Sequence, residues 1–426
     1  MTNFNPTRQL AVYRTLSTGQ KVLVGELAQN KQGVYFQYQS DYLEKFDNLS
    51  PFRLQANSTL QLALAGLHGG LHGVFADSLP DGWGLLLQDR YFRSKGIAPS
   101  QVTAMDRLAF VGQSAMGALS YEPYMIWQSE NNETSFAQLG LQAQAVFDGQ
   151  TDEVLQTLIA AGSSGGARPK AQLYSNSDLT KFCRTIGQKG DDAWLIKFTS
   201  RQLSLGHDEG ICEAVYLTMA QIAGIQTTEW KLLSAPKESG ANAWLAVKRF
   251  DWLPANAGRL HLLSAAGLLD ADFRLPSLDY IDLIKASKIL TKDTQASKQQ
   301  FLRAMFNLFA ANQDDHSKNW AFLQQDNAQW QLSPFYDATF SPQKFGEHAT
   351  AFLGQGKQPA LKTIQKLADI AGFDSWSEAR VIIRGVVDAL SMFQQYAKNF
   401  GVSKNNIRLI QQYLDDLYKQ NRQLLE

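Results

Sequence analysis

The sequence is poor in the features that would mark a stapled, charged or membrane-embedded protein. Cysteine occurs twice in 426 residues, at Cys183 and Cys212, too few for a disulfide framework and without companions at metal-ligand spacing. No charge of one sign dominates: forty Lys plus Arg stand against forty Asp plus Glu, which argues against a dedicated nucleic-acid binder. Proline is scarce at twelve residues while apolar residues make up 44%, so a disordered chain is excluded. No apolar run reaches the roughly eighteen residues of a membrane span, and even Val381–Leu390 is broken by Arg384 and Asp388. The start Met1-Thr-Asn-Phe-Asn-Pro6 has no charged, apolar, cleavable pattern, so a cytoplasmic location is expected.

The length calls for two or more domains. Short alternating runs at Leu10–Tyr13, Lys21–Val24 and Val34–Tyr38 predict a small β-meander. Helices are expected over Asp81–Lys95 and Ser100–Phe110, then a polar linker at Gln128–Ser135 and a weak helix at Thr151–Ala161. Strands are predicted at Lys170–Tyr174, Trp194–Thr199, Glu229–Leu233 and Trp244–Phe250, with one helix at Glu213–Ala223. Beyond Asp251 the period becomes helical: Ser277–Leu290, Lys298–Ala311, Leu361–Ala371, Ser377–Asn399 and Lys404–Leu424. The expected division is 1–125, a β-rich N-terminal subdomain; 126–251, a β-rich lobe; and 252–426, a helical lobe.

Three constellations could carry chemistry. The first is Ala161-Gly-Ser-Ser-Gly-Gly-Ala-Arg-Pro-Lys170, whose small side chains would let backbone N–H groups approach phosphate oxygens, with Arg168 and Lys170 adding positive charge. It is not a Walker A loop, since a strand follows it, and a Gly/Ser stretch is also an ordinary turn. The second is Lys197, a lone lysine in an apolar strand that must reach water or face an anion, with Glu213 as a possible partner. The third is Asn312-Gln-Asp-Asp-His-Ser-Lys-Asn319, at the end of a helix. Asp314 and Asn319 have the offset of the aspartate and metal-binding asparagine in a kinase catalytic loop, although a polar run after a helix is also a plain solvated loop. Past a predicted hairpin comes Ser333-Pro-Phe-Tyr-Asp337, which places Asp337 where a second magnesium-binding carboxylate is expected. The triplet Tyr336-Asp337-Ala338 lacks the usual Phe-Gly, so an ordinary eukaryotic-type kinase is a poor match.

Taken in order, Phe75–Asp81, Val111–Ala118, Gly165–Lys170, Ile196-Lys197, Leu245–Asp251, Asp314–Asn319 and Pro334–Asp337 resemble the motifs of the HipA-like serine/threonine kinases of bacterial toxin–antitoxin systems. The resemblance implies an α+β, two-lobed protein-kinase-like fold of the HipA type, with a β-rich N-terminal subdomain and nucleotide lobe and an all-helical C-terminal lobe. It implies transfer of the ATP γ-phosphate, with Mg, to Ser or Thr of a protein. Asp314 would be the catalytic base, and Asn319 and Asp337 would hold the metal. Gly165, Gly166, Ala167, Arg168, Pro169, Lys170 and Lys197 would embrace the phosphates. Lys248, Arg249 and Phe250 would form the hinge strand at the adenine, the type member having an acidic residue where this chain has Lys248; His316, Lys318 and Tyr336 would be further nucleotide contacts. Ser163, or the adjacent Ser164, falls where the family is autophosphorylated. By resemblance the target is an aminoacyl-tRNA synthetase, whose modification inhibits translation and growth. The partner is a separate HipB-like helix-turn-helix antitoxin, with operator DNA reached only through that complex. A pseudokinase that binds ATP without turnover and a small-molecule phosphotransferase are the alternatives.

His68 and His72 have helical zinc-ligand spacing, but Gly69, Gly70 and Gly73 argue against a helix there. The remaining aromatic stripes read as helix packing.

Overall fold

The computed structural model describes residues 4–125, 133–151, 153–154, 156–162 and 165–426. Most of the predicted linker, at 128–132, and both candidate acceptor serines, Ser163 and Ser164, lie outside the described residues. The chain divides into two compact units: Met1–Gln202 with Leu233–Asp270 and Leu323–Gln329, and Leu203–Leu232 with Ala271–Phe322 and Trp330–Glu426. The fold is mixed α and β.

The first unit carries two sheets. One is five-stranded, in the order Gln61–Leu62, Val34–Tyr38, Lys21–Gln29, Gln9–Thr15, Leu119–Glu122. Its strand Gln9–Thr15 alternates burial residue by residue, as a half-buried strand should, and places Leu10 and Val12 in the core. The same alternation buries Arg14, whose guanidinium donates to the Tyr42 hydroxyl at 3.0 Å and the Gln324 amide oxygen at 2.9 Å. The second sheet runs Ala243–Lys248, Asp192–Lys197, Lys170–Ser175, Cys183–Arg184, Glu133–Thr134 within this unit. Strand Lys170–Ser175 is buried along its whole length, so it reads as a continuous interior strand. Helix Phe136–Phe147 covers this sheet, with Leu139, Ala143 and Val146 in one core with Trp194, Ile196 and Trp244. Gly140 is required there, because a Cβ would come 2.1 Å from the Trp244 ring.

The second unit is built around helix Thr294–Ala310, which packs against Tyr280–Thr291, Leu361–Ala371, Trp376–Ser391 and Lys404–Gln420. Every residue from Gln300 to Ala310 is buried, so the amphipathic helix read from its apolar face is a central one. It begins at Asp293, whose carboxylate accepts from the Gln295 N–H at 2.8 Å, and stops at Ala311, which adopts a left-handed conformation (φ 53°). Helix Glu209–Ile222, which bears Glu213 among its buried residues, also belongs to this unit. The predicted hairpin is present as Ala321–Gln324 and Trp330–Leu332, and the loop Asn312–Asn319 precedes it.

Candidate active site

In the first unit the small-residue loop leads into strand Lys170–Ser175 as predicted. Gly166 has φ 100°, and a Cβ there would stand 2.3 Å from the Lys170 amine. The loop's shape therefore depends on glycine. The Lys170 ammonium, almost fully buried, donates to the Gly165 carbonyl at 2.6 Å. Pro169 is pinned through its carbonyl, which accepts from the Phe198 N–H at 2.9 Å; Ala167 is exposed and Arg168 half-buried. The register of the paired strands sets Lys170 directly opposite Lys197, which is also buried. Directly opposed residues on antiparallel strands project from the same sheet face with their Cβ atoms about 5 Å apart. Both strands thus bring a buried cationic side chain to one face of the sheet.

A segment from the N-terminal region grips this loop. The Gly166 N–H donates to the Asp81 carboxylate, and the Trp83 backbone N–H donates to the Gly166 carbonyl at 3.0 Å. The Trp83 indole donates to the Lys170 carbonyl at 2.9 Å. Gly82 (φ 41°) passes so close to Ala167 that a Cβ would lie 2.7 Å from its Cα. Sequence reading placed Phe75–Asp81 among the recurring motifs but assigned it no task. A partner 85 residues away leaves no spacing signal.

Lys248, Arg249 and Phe250 end strand Ala243–Lys248. Lys248 pairs with the Asp192 carboxylate at 3.1 Å. The Arg249 side chain is wholly engaged inside the protein. It holds Asp251 through Nε and Nη2, at 3.1 and 2.5 Å, and donates from Nη1 to Gln172 at 2.6 Å and Tyr174 at 3.2 Å. Its Nη2 also reaches the Ala115 carbonyl at 3.1 Å. Its backbone N–H is committed as well, donating to the Ala193 carbonyl at 2.8 Å. Burial works against the charge on Asp251, yet Arg249, with the Gly117 N–H at 2.7 Å, holds its carboxyl below the usual range.

In the second unit the two adjacent aspartates of the 312–319 loop have opposite environments. The Asp314 side chain is 54% exposed, with the His316 ring nitrogen 3.9 Å away. The Asp315 carboxylate is fully buried and accepts from the Tyr280 hydroxyl at 2.5 Å, His348 Nδ1 at 2.8 Å and the Thr350 N–H at 3.1 Å. Its carbonyl accepts from the Trp320 indole at 3.0 Å and the Thr350 hydroxyl at 2.5 Å. Asp315 is therefore the anchor of the loop and Asp314 the group it presents. The Asn319 amide donates to the Asp314 carbonyl at 2.7 Å, closing the loop on itself and leaving the amide oxygen as a ligand for a hard cation.

The segment bearing Asp337 lies alongside. The Tyr336 hydroxyl donates to the Lys318 carbonyl at 2.7 Å, and the Ser341 hydroxyl both donates to Asn312 Oδ1 and accepts from the Asp314 N–H, each at 3.1 Å. Asp337 itself adopts φ 56°, the kind of backbone strain kept where neighbours over-determine it. Arg303, buried and held near 10 by that burial, donates to the Ser333 carbonyl at 2.7 Å and fixes the start of the segment. Lys318 and His316 both pack on Phe273, at 4.4 and 6.0 Å from its ring centre. Among the described residues there is no group of three or more His, Cys, Asp or Glu that could cage a metal. Asn319 and Asp337 each carry a hard oxygen of the kind that could hold magnesium, which usually completes its shell with phosphate oxygens and water.

A family model described as the HipA-like C-terminal domain matches residues 162–394, and one described as the HipA N-terminal domain matches residues 18–122. The fold class is thus an α+β, HipA-type architecture with both of its family domains. The chain belongs to the HipA family. A search of curated proteins finds no match. Among solved structures, HipA of the Shewanella oneidensis MR-1 toxin–antitoxin system, solved with HipB and its operator DNA, matches with TM-score 0.68 and 15% identity over 96% of this chain and 97% of that one. The Helicobacter pylori proinflammatory kinase CtkA matches with TM-score 0.41 and 14% identity over 55% of this chain and 91% of that one. No helix of the described residues is long and apolar enough to cross a membrane.

Proposed function

We propose that the chain is a HipA-type toxin kinase that transfers the γ-phosphate of ATP to a serine or threonine of a protein. The observation that carries this reading is the 312–319 loop. It locks Asp315 in the interior, presents Asp314 to solvent and closes with the Asn319 amide on the Asp314 carbonyl. Phosphoryl transfer asks little covalent chemistry of the protein; it needs charge neutralisation at the phosphates and a carboxylate that orients the attacking hydroxyl. Lys170, Lys197 and the loop Gly165–Ala167, whose Gly166 N–H is held by Asp81, would meet the first need. Asp314 would meet the second, accepting the hydroxyl proton as the oxygen attacks. Asn319 and Asp337 would hold magnesium, which when bound offsets phosphate charge. Lys248–Phe250 would meet the adenine through backbone groups, with His316, Lys318 and Tyr336 as further contacts.

By family kinship, the target is an aminoacyl-tRNA synthetase, the loop serine Ser163 or Ser164 is the site of self-modification, and a HipB-like protein is the antitoxin. The solved Shewanella assembly supports the partner: there HipA is found with HipB and operator DNA. Magnesium–ATP titration by thermal shift, with transfer assayed on a bacterial lysate and on sugars and aminoglycosides, separates the readings. Binding with phosphate on proteins is expected. Binding without any transfer would mark a pseudokinase, and phosphate on small molecules alone a small-molecule phosphotransferase.

A further inference from the structure

Behind the loop that presents Asp314, the second unit contains a cavity of about 370 Å³ that none of the roles above uses. One wall is the segment Pro342–Gly346 and the other is the last long helix, Lys404–Gln420, with Asn421 after it. The wall is tied to the residue next to the proposed base. The Gln313 side chain accepts from the Gln343 N–H at 2.7 Å and donates to the Gly346 carbonyl at 3.1 Å, and its own carbonyl accepts from the Ala349 N–H at 3.1 Å. Ser341, whose hydroxyl accepts from the Asp314 N–H, immediately precedes that wall. The cavity wall is thus hydrogen-bonded, through Gln313 and Ser341, to the stretch of backbone that carries Asp314.

The lining specifies what would enter. Asn421 is 1% exposed, and its Oδ1 has no hydrogen-bond partner, although its Nδ2 donates to the Leu417 carbonyl at 2.9 Å. A buried acceptor without a donor is costly unless a ligand or water supplies one. His348 lines the same space with Nδ1 committed to Asp315 at 2.8 Å, and among the described residues Nε2 is not hydrogen-bonded. The cavity thus offers an unspent acceptor at Asn421 Oδ1 and, at His348 Nε2, a ring nitrogen that donates or accepts according to its tautomer, and it calls for a ligand that can do both.

Charge narrows the class. Lys357 lines the cavity with its ammonium on the Phe345 carbonyl at 3.3 Å, and Asp416 already faces Lys419 at 3.7 Å. A cationic side chain would meet Lys357, and an anionic one would meet the Asn421 acceptor and the Asp416 carboxylate. The apolar part of the wall includes Phe345, a phenyl ring that is 71% exposed. A neutral group with an apolar stem that both donates and accepts hydrogen bonds satisfies all of these. Resting on the kinase reading, we infer that this cavity is a specificity pocket for a carboxamide side chain, Asn or Gln, flanking the phosphoacceptor residue of the protein substrate.

The probe is a set of peptides with one serine each, carrying Gln, Asn, Ala, Lys or Asp at a single flanking position. Transfer from magnesium–ATP and binding by fluorescence anisotropy are measured on the full chain, on Asn421→Leu, which removes the acceptor at similar volume, and on Phe345→Ala, an exposed site where folding is not at stake. A preference for Gln or Asn of at least tenfold at one flanking position is expected in wild type and lost in both variants. Equal use of all five residues by wild type, or a preference that survives in both variants, would overturn the pocket. If wild type binds the carboxamide peptides selectively but transfers nothing, the kinase reading falls and the pocket stands; if transfer occurs without selectivity, the pocket alone falls.

Discussion

The adjacent aspartates allow a sharp test, because Asp315→Ala should damage the fold while Asp314→Ala should not. Removing the Asp315 carboxylate leaves three buried donors unmet: the Tyr280 hydroxyl, His348 Nδ1 and the Thr350 N–H. Each orphaned buried donor costs about 1–3 kcal/mol, and relaxation of the site recovers part of the sum, so the expected loss is about 3–5 kcal/mol. For a unit of this size, 1 kcal/mol moves the melting temperature by roughly 2–4 °C, which places the Asp315→Ala midpoint roughly 6–20 °C below wild type. The Asp314 side chain is 54% exposed and should tolerate Ala within about 0.5 kcal/mol. Differential scanning calorimetry at one pH and scan rate reads both. An Asp315→Ala protein melting within about 2 °C of wild type would refute the anchoring role and with it the assignment of opposite tasks to the two carboxylates.

Other perturbations follow the same geometry. Gly166→Ala forces a side chain onto a φ of 100° and against the Lys170 amine, so ATP affinity should fall at least about tenfold, read by isothermal titration, with little change in melting temperature. Arg249→Met strands the buried Asp251 carboxylate and should cost about 3–5 kcal/mol in thermal denaturation, part of it regained in the double variant with Asp251→Asn. Burial pushes the His72 imidazole down to about 4, and burial together with nearby Arg14 pushes His261 down to about 3, from an ordinary 6.5. Both are neutral in the fold, so the unfolded chain binds more protons. Their contribution is complete above about pH 6.5 and is lost as the pH falls from there, by up to about 1.4 kcal/mol per pH unit for each group. Urea midpoints between about pH 7 and pH 5 should show this slope, reduced in His261→Gln.

Much of the architecture was legible because it follows from local periodicity. Leu361–Ala371 is the helix expected, to the residue, and the strands around Lys170, Lys197 and Lys248 lie within a few residues of their predicted spans. The expected helix Ser377–Asn399 is two, Trp376–Ser391 and Phe393–Phe400, with the break at Met392 (ψ 0°), where no glycine or proline gives warning. Helix Phe136–Phe147 was hidden by its Ala and Gln content, which blurs the apolar stripe, and by the polar stretch before it. Long-range pairing lay beyond any periodicity. Arg14 occupies an inward strand position that pattern reserves for an apolar residue, and is admitted because Tyr42, Gln324, the Gln325 carbonyl and the Asp326 carboxylate receive its guanidinium. At the candidate site the offset of Asp314 and Asn319 was readable. That Asp315 would be sealed off, that Arg249 would be consumed by Asp251, Gln172 and Tyr174, and that Asp81 would hold the glycine loop required the folded partners.

The most direct test of the central claim is intact-mass spectrometry with peptide mapping of the full chain and its Asp314→Asn variant, each incubated with magnesium–ATP and a bacterial lysate. Wild type should place phosphate on serine or threonine of a protein, including its own 161–170 loop, and Asp314→Asn should slow that transfer by about 10²–10⁴-fold while still binding ATP. Transfer by Asp314→Asn at the wild-type rate would contradict the account.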